Sequence, residues 1–139
     1  MLSWEEMAGT AAAESALTNF TLGSKAAAAL TAASSYTVSS GKTLRIQTVT
    51  IYLKATSTAE LLARYRIRQA ASGIANSSPV IFDAVMALDT ATVAATQGDQ
   101  LAIPIPDGLE VAATQQITFT WFTNVNTSTV GMSITGYEY

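Results

Sequence analysis

The stretch KTLRIQTVTIYLK (42–54) carries most of the evidence for the fold. Its apolar residues alternate with polar ones, which is the period of a β-strand with one buried face. These apolar positions are Leu44, Ile46, Val49, Ile51 and Leu53. The alternation slips by one residue at Gln47 and Thr48, and such a slip would turn the later side chains to the opposite face. The stretch therefore predicts a long strand that carries a β-bulge or changes sheets at that point.

Further segments along the chain show the same alternation, with turn residues between them. They are ARYRIRQ (63–69), PVIFDAVMAL (79–88), QLAIPIPDGLEV (100–111), QITFTWFT (116–123) and TVGMSITGYEY (129–139). Pro104 and Pro106 cannot donate to a strand ladder, so 100–111 is predicted as an edge strand or one that leaves the sheet, with a turn at PDG (106–108). Roughly eight short strands and no amphipathic helix after residue 34 predict an all-β sandwich or barrel.

The alternation also predicts which side chains face the core. They are Ala63, Tyr65, Ile67, Val80, Phe82, Ala84, Met86, Leu88, Leu101, Ile103, Ile105, Ile117, Phe119, Trp121, Val130, Met132 and Ile134.

Residues 1–33 differ in composition from the rest, and we interpret them as an N-terminal arm preceding a β-sandwich domain at 34–139. Positions 8–33 hold eleven alanines and few large side chains. SWEE (3–6) has the spacing of a helix capping box, so a short helix from Trp4 is one expectation. The arm is either a floppy terminus or a segment that orders against a neighbouring subunit. In the second case Trp4 is a candidate partner-binding residue.

Composition excludes several classes of chemistry. The chain has no cysteine and no histidine, so no disulfide, thiolate nucleophile, Cys/His zinc site or imidazole base can form. The acids Asp83, Asp89, Asp99 and Asp107 are scattered among turns without the spacing of a calcium loop. We therefore expect neither an enzyme nor a bound metal or cofactor.

Charge and hydropathy limit the partners. The formal net charge is −3, which argues against nucleic-acid binding because that depends on a basic surface. The start of the chain has two glutamates and no basic residue, unlike a signal peptide, and KAAAAL (25–30) is too short to span a membrane. The expected protein is soluble and made in a cytosol, with no membrane or nucleic-acid partner.

Arg64, Arg66 and Arg68 supply three of the seven basic side chains within five residues. On a strand they would form one row, spaced roughly 6.6–6.8 Å apart, on the face opposite Tyr65. One interpretation is a solvated face whose arginines pair with Glu60, Asp83 or Glu110 of the same chain. A second is a contact with carboxylates of another subunit, where guanidinium forks bind well, and a third is phosphate binding. All three arginines are candidate partner-binding residues.

The aromatic residues Trp121, Phe122, Tyr137 and Tyr139 also allow two interpretations. They could form a platform on which a sugar stacks, or they could belong to the core and seal one end of the sandwich. Phe122 points opposite to Trp121, so it should cover a second layer or a subunit interface. Phe122 is therefore a further candidate for partner binding.

Three phrases of the sequence resemble small jelly-roll structural proteins of tailed-bacteriophage virions. They are SSYTVSSGKTLRIQTVTIYLKA (34–55), IPIPDGLEV (103–111) and GYEY (136–139). The resemblance implies an all-β, jelly-roll-like antiparallel sandwich located in the virion. Such proteins commonly form homotrimers on capsid lattices as cement or decoration, bound to the major capsid protein or another virion protein. Others bind receptors or glycans from the tail, and this is the alternative function.

Overall fold

The computed structural model describes residues 2–8, 15–17, 27–28, 35–55, 61–75, 77–88, 98–123 and 128–139. These residues form ten strands and no helix. The strands are β1 (Leu2–Ala8), β2 (Ser15–Leu17), β3 (Ala27–Ala28), β4 (Tyr36–Thr37), β5 (Leu44–Ala55), β6 (Leu61–Ala70), β7 (Val80–Leu88), β8 (Gly98–Val111), β9 (Gln116–Thr123) and β10 (Ser128–Glu138). The all-β sandwich predicted from the sequence is confirmed.

Two antiparallel sheets make up the sandwich. Sheet A has the strand order β1-β10-β5-β8, and sheet B has the order β3-β2-β9-β6-β7, with β4 pairing a further part of β9. The pairs are nested along the chain. β1 pairs with β10 and β5 with β8 in sheet A, whereas β2 pairs with β9 and β6 with β7 in sheet B. The chain therefore resembles one long antiparallel ribbon folded over on itself.

The core fills the space between the sheets, and nearly all of it was expected from the alternation. Its buried apolar side chains include Ile46, Val49, Ile51, Leu53, Tyr65, Ile67, Ile117, Phe119, Trp121, Val130, Met132 and Ile134. Tyr65 also makes a polar contact across the core, because its phenol donates a hydrogen bond of 2.5 Å to the backbone carbonyl of Tyr52 on β5.

The predicted slip in 42–54 is a bulge at Gln47. Thr48 of β5 lies opposite Thr135, and Ile46 lies opposite Gly136, so Gln47 is an extra residue against β10. Leu44 and Ile46 on one side of the bulge and Val49 on the other are all buried. The bulge therefore keeps both halves of the apolar set on the core face, and β5 stays in sheet A throughout.

Strand β8 is at the edge of sheet A, as its two prolines predicted. Thr48 of β5 pairs with Pro104 of β8, and Ile46 pairs with Leu109. Between these two pairs β8 has four residues, 105–108, whereas β5 has only Gln47. Asp107 and Gly108 adopt positive φ values of 62° and 74° within this excursion, so the chain turns at PDG as expected. Val111, beyond the turn, is again fully buried.

Two predicted core residues are exposed. Val80 has 39% of its surface accessible, because the β6–β7 register shifts between Ile67 and Arg68 and the alternation of β7 reverses there. Leu101 is 48% exposed, because it lies on edge strand β8, beside which the described residues place no further strand.

The described backbone of the N-terminal region is extended, so the prediction of a short helix from Trp4 is wrong. Leu2–Ala8 pairs with Ser128–Ile134 of β10, with Trp4 opposite Met132. Pairing with β10 gives this segment backbone hydrogen bonds along its length. A capping box alone, without an amphipathic face to bury, stabilises a helix less than this pairing stabilises the strand. The division into an arm (1–33) and a domain (34–139) stays a prediction, and the side chain of Trp4 lies outside the described residues.

Candidate interaction surfaces

The arginine row lies on the outer face of sheet B. Ala63, Tyr65 and Ile67 are fully buried in the core, so Arg64, Arg66 and Arg68 project from the opposite side of β6. In the strand register Arg66 lies opposite Asp83 of β7, and Arg64 lies opposite Phe122 of β9. The sequence therefore identified the face correctly, and the register supplies an acidic neighbour for it.

Asp83 holds two of the arginines. The Nε and Nη2 atoms of Arg64 donate to its two carboxylate oxygens at 2.7 and 2.6 Å, which is a bidentate pair. Arg66 donates from Nε to Asp83 Oδ2 at 3.2 Å. The Arg64 guanidinium foremost, with help from Arg66, lowers the pKa of Asp83 below its ordinary value, against the opposing effect of partial burial. Asp83 is thus a shared carboxylate that fixes the position of both guanidinium groups.

Arg68 has a different environment. Only 5% of its surface is exposed, although it faces away from the core, and its Nη1 atom donates a 2.7 Å hydrogen bond to the backbone carbonyl of Ser78. Thr118 and Thr120 on β9 also face outward and are fully buried. The outer surface of sheet B is therefore covered along β9 and near Arg68, and it is open toward β7.

Apolar side chains stand exposed in the open part of sheet B. Leu62 of β6 and Val85 of β7 have 44% and 54% of their surfaces accessible. Val85 lies opposite Arg64 in the register, and Leu62 lies opposite Ala87, so both flank the Arg64–Asp83 pair. We call the surface formed by Leu62, Arg64, Arg66, Asp83 and Val85 the β6–β7 face.

A second surface lies on the outer side of sheet A, where three strands align polar residues in one row. Tyr137 of β10 lies opposite Arg45 of β5, which lies opposite Glu110 of β8. Arg45 donates from Nη2 to Glu110 Oε1 at 2.8 Å, and the phenol of Tyr139 donates to the same oxygen at 2.7 Å. We call Arg45, Glu110, Tyr137 and Tyr139 the tyrosine platform.

The two tyrosines of this platform are open to solvent. Tyr137 is 45% exposed and Tyr139 is 52% exposed, and their ring centroids are 5.8 Å apart with an interplanar angle of 49°. The guanidinium carbon of Arg45 lies 5.8 Å from the centroid of the Tyr139 ring, within the range of a cation–π contact. The neighbouring Tyr137 phenol is the main cause that raises the pKa of Arg45.

Two glycines on the neighbouring strands lie close to Arg45. A Cβ atom on Gly108 would lie 2.6 Å from Arg45 Cγ, and one on Gly136 would collide with the Arg45 carbonyl oxygen. Gly108 also has a φ of 74°, which a glycine adopts without strain. The two glycines therefore let β8 and β10 approach Arg45 closely and fix the base of its side chain.

The predicted aromatic cluster is divided between core and surface. Trp121 is 2% exposed and belongs to the core, whereas Tyr137 and Tyr139 do not seal the sandwich but stand on its outer face. Phe122 lies opposite Arg64 in the strand register, and its side chain lies outside the described residues. Neither Arg45 nor Glu110 was singled out as a site residue from the sequence, because only the register brings them to the tyrosines.

The described residues contain no group of three or more acidic, histidine or cysteine side chains placed to hold a metal ion. Asp89, one of the acids considered above, lies outside these residues. No helix in the described ranges has the length and hydropathy needed to cross a membrane. No protein-family model matches the chain, and a search of curated proteins finds no match.

Proposed function

We propose that the protein is a capsid cement or decoration protein of a tailed bacteriophage, which stabilises the head by bridging neighbouring capsomers. The observation that carries the proposal is the pair of exposed apolar side chains, Leu62 and Val85, beside the fixed Arg64–Asp83 pair. This surface has the composition of a protein-binding face. The partner is the major capsid protein or another virion protein.

The strand order supports the jelly-roll classification on which the virion role rests. A jelly roll is a double-sheet sandwich of eight strands made from two Greek keys. Four nested antiparallel pairs alternate between the sheets in that manner: β1 with β10, β2 with β9, β5 with β8, and β6 with β7. Short strands β3 and β4 are additions at one side of sheet B.

The β6–β7 face suits contact with another protein for two reasons. Arginine is enriched at protein interfaces, and exposed apolar side chains beside it supply area that gains free energy when water is removed. Asp83 holds Arg64 and Arg66 in place before binding, so less side-chain entropy is lost when a partner docks. A carboxylate of the partner could then add to the same hydrogen-bond network.

The mechanism is mechanical. A trimer that binds several capsomers at once must be detached from all of them before they separate, so weak single contacts combine into strong attachment. A standard protein contact buries roughly 1,600 Å² in total. Homotrimer formation is supported by the low content of charged residues, 12%, which leaves much surface suited to assembly. The protein would be made in the host cytoplasm and reside in the virion.

The proposal is tested by adding purified protein to phage particles that lack it. We expect particles at saturating occupancy to release their DNA at a higher temperature than bare particles. Light scattering should give three times the 14.5 kDa mass of one chain. An unchanged release temperature, or a monomer at high micromolar concentration, would count against the cement role.

A receptor- or glycan-binding module of the phage tail is the second candidate. The exposure of Tyr137 and Tyr139 favours it, because a binding module needs aromatic rings at the surface. Electron microscopy of the particle with this protein located in it separates the candidates. Density on capsid lattice axes supports cement, and density on the tail supports the module.

A further inference from the structure

We propose that the tyrosine platform, formed by Arg45, Glu110, Tyr137 and Tyr139, is a carbohydrate-binding site that holds one pyranose ring on the outer face of sheet A. Two exposed rings, those of Tyr137 and Tyr139, form the aromatic part of the site. Their centroids are 5.8 Å apart and inclined at 49°, so they form the two sides of a shallow, open angle. The electron-rich face of an aromatic ring attracts the weakly positive C–H face of a sugar.

A polar pair, Arg45 and Glu110, lies next to these rings. The hydrogen bonds that Glu110 accepts from Arg45 and Tyr139 both end on Oε1. Within the described residues, Oε2 has no hydrogen-bond donor, and 49% of the Glu110 side chain is exposed. A guanidinium donor and a carboxylate acceptor side by side are suited to adjacent sugar hydroxyls, each of which both donates and accepts.

The paired strands around the site fix its geometry. Arg45 is fixed at its base by the approach of Gly108 and Gly136 and at its end by Glu110 and the Tyr139 ring. All four platform residues lie on or directly beside paired strands, and Tyr139 exchanges two backbone hydrogen bonds with Thr43. A site held by its scaffold loses little entropy when it binds, which matters for a small, weakly bound ligand.

The chemistry favours a sugar over a second protein chain. The platform offers aromatic faces and a charge-balanced Arg–Glu pair but no exposed aliphatic side chain among its members. It also lies on sheet A, on the opposite side of the sandwich from the β6–β7 face. A copy attached to a particle through sheet B would still present the platform to solution, so the two surfaces can be tested separately.

The test is a titration of isotope-labelled free protein by two-dimensional NMR. The probes are the methyl pyranosides of glucose, galactose and mannose, together with N-acetylglucosamine and glucuronic acid. Each is added to about 50 mM, which covers the millimolar affinities expected of a shallow site. We expect at least one probe to shift the amide signals of Arg45, Glu110, Tyr137 and Tyr139 in a saturable manner.

Variants separate ring stacking from other effects. Tyr139→Ala should weaken binding about tenfold, which is within the loss caused by removing a ring that stacks on a nucleic-acid base. Tyr139→Phe keeps the ring and should retain most of the affinity, and Glu110→Gln should weaken it by removing the charged acceptor. Leu101→Ala, an exposed change elsewhere on sheet A, should bind like the wild type. Thermal melts of each variant identify any that has lost its fold.

Absence of saturable shifts at the platform with all five probes would overturn the proposal. Equal binding by the wild type and a folded Tyr139→Ala variant would overturn it as well. Because these measurements use free protein and no virion, their failure leaves the cement role intact. Failure of the particle experiment likewise leaves the sugar site intact.

Discussion

Arg64 on β6 and Asp83 on β7 lie diagonally across the strand pair and are joined by two hydrogen bonds of 2.7 and 2.6 Å. The same carboxylate also accepts from Arg66. Arg64 and Arg66 are therefore tied to their own sheet through Asp83. The exposed side chains Leu62 and Val85 lie beside this ion-pair cluster, and we infer that the cluster and the apolar pair act together in binding.

The three arginines should differ in their effect on stability. Arg68→Met should lower the free energy of unfolding by about 1–3 kcal/mol, because Arg68 is buried and the Ser78 carbonyl loses its donor. Arg64→Met should cost less than ~1 kcal/mol, because the Arg64 side chain is 42% exposed. Urea denaturation of both variants measures the difference. Equal losses would contradict the distinct environments described for the two residues.

Local pattern was sufficient to predict most of the strands because burial on one face of a strand imposes a two-residue period. The slip at Gln47 predicted the bulge, since all apolar side chains of β5 had to reach one core. Pro104 and Pro106 predicted the edge position of β8 because they cannot donate to a ladder. The outward direction of the arginine row followed from Tyr65 and its buried neighbours.

Features that depend on register or on long-range covering could not be predicted. Arg68 is buried on the outer face of sheet B, where it donates to the Ser78 carbonyl, and the alternation of β6 gave no sign of this burial. Val80 is exposed because of a register shift opposite Arg68, and the sequence pattern of β7 does not reveal this shift. The tyrosine platform joins residues from three strands, and Arg45 is 65 residues from Glu110. Leu2–Ala8 is a strand because β10 offers it an edge.

The hydrogen bond from Tyr65 of sheet B to Tyr52 of sheet A should contribute measurably to stability. Tyr65→Phe removes the hydrogen bond to the Tyr52 carbonyl and should lower the free energy of unfolding by about 1–3 kcal/mol. Burial raises the pKa of Tyr65, as expected for a phenol kept neutral inside the sandwich. Denaturant melts check the loss, with Tyr139→Phe at the exposed surface as the control expected to change less. Equal midpoints for the wild type and Tyr65→Phe would refute it.

The bulge should tolerate no side chain at Gly136. A methyl group there collides with the backbone oxygen of Arg45, so Gly136→Ala should cost about 1–3 kcal/mol through forced shifts of β5 or β10. The adjacent exposed change Thr135→Ala should stay within about 0.5 kcal/mol of the wild type. Thermal and urea melts of the two variants make the comparison. A Gly136→Ala variant as stable as Thr135→Ala would show that the strands are not closely apposed there.

The pair formed by Tyr36 and Glu138 should make stability depend on pH at both extremes. The Tyr36 phenol donates to Glu138 Oε1 at 2.6 Å, and this bond, followed by burial, raises the pKa of Tyr36 to about 12. Hydrogen bonds from Ser39 foremost, and then from Tyr36, lower the pKa of Glu138 below its ordinary 4.5. Folding therefore favours the protonated phenol and the ionised carboxylate.

The direction of each pKa shift gives the pH range in which that group stabilises the fold. The raised phenol pKa contributes stability that is fully present below pH 10 and is lost as pH rises toward about 12. The lowered carboxyl pKa contributes stability that is present above pH 4.5 and is lost as pH falls further. The stability difference between wild type and Tyr36→Phe should thus be level between these limits and shrink beyond each. A difference independent of pH throughout would contradict the pairing.

The most direct test of the cement proposal is binding of variants to phage particles stripped of this protein. Arg66→Ala should weaken attachment by about 2–5 kcal/mol if a partner carboxylate joins the network, and Arg66→Lys should recover only part of this because an ammonium lacks the planar fork. Val85→Glu should abolish attachment by placing a charge in the apolar contact.

Lys42→Ala and Leu101→Glu are the matched controls, since they change charge at exposed positions outside the β6–β7 face. We expect lost attachment by the β6–β7 variants that keep their fold, with any fall in melting temperature too small to account for the loss, and normal attachment by the controls. Wild-type attachment by folded Arg66→Ala and Val85→Glu would contradict it.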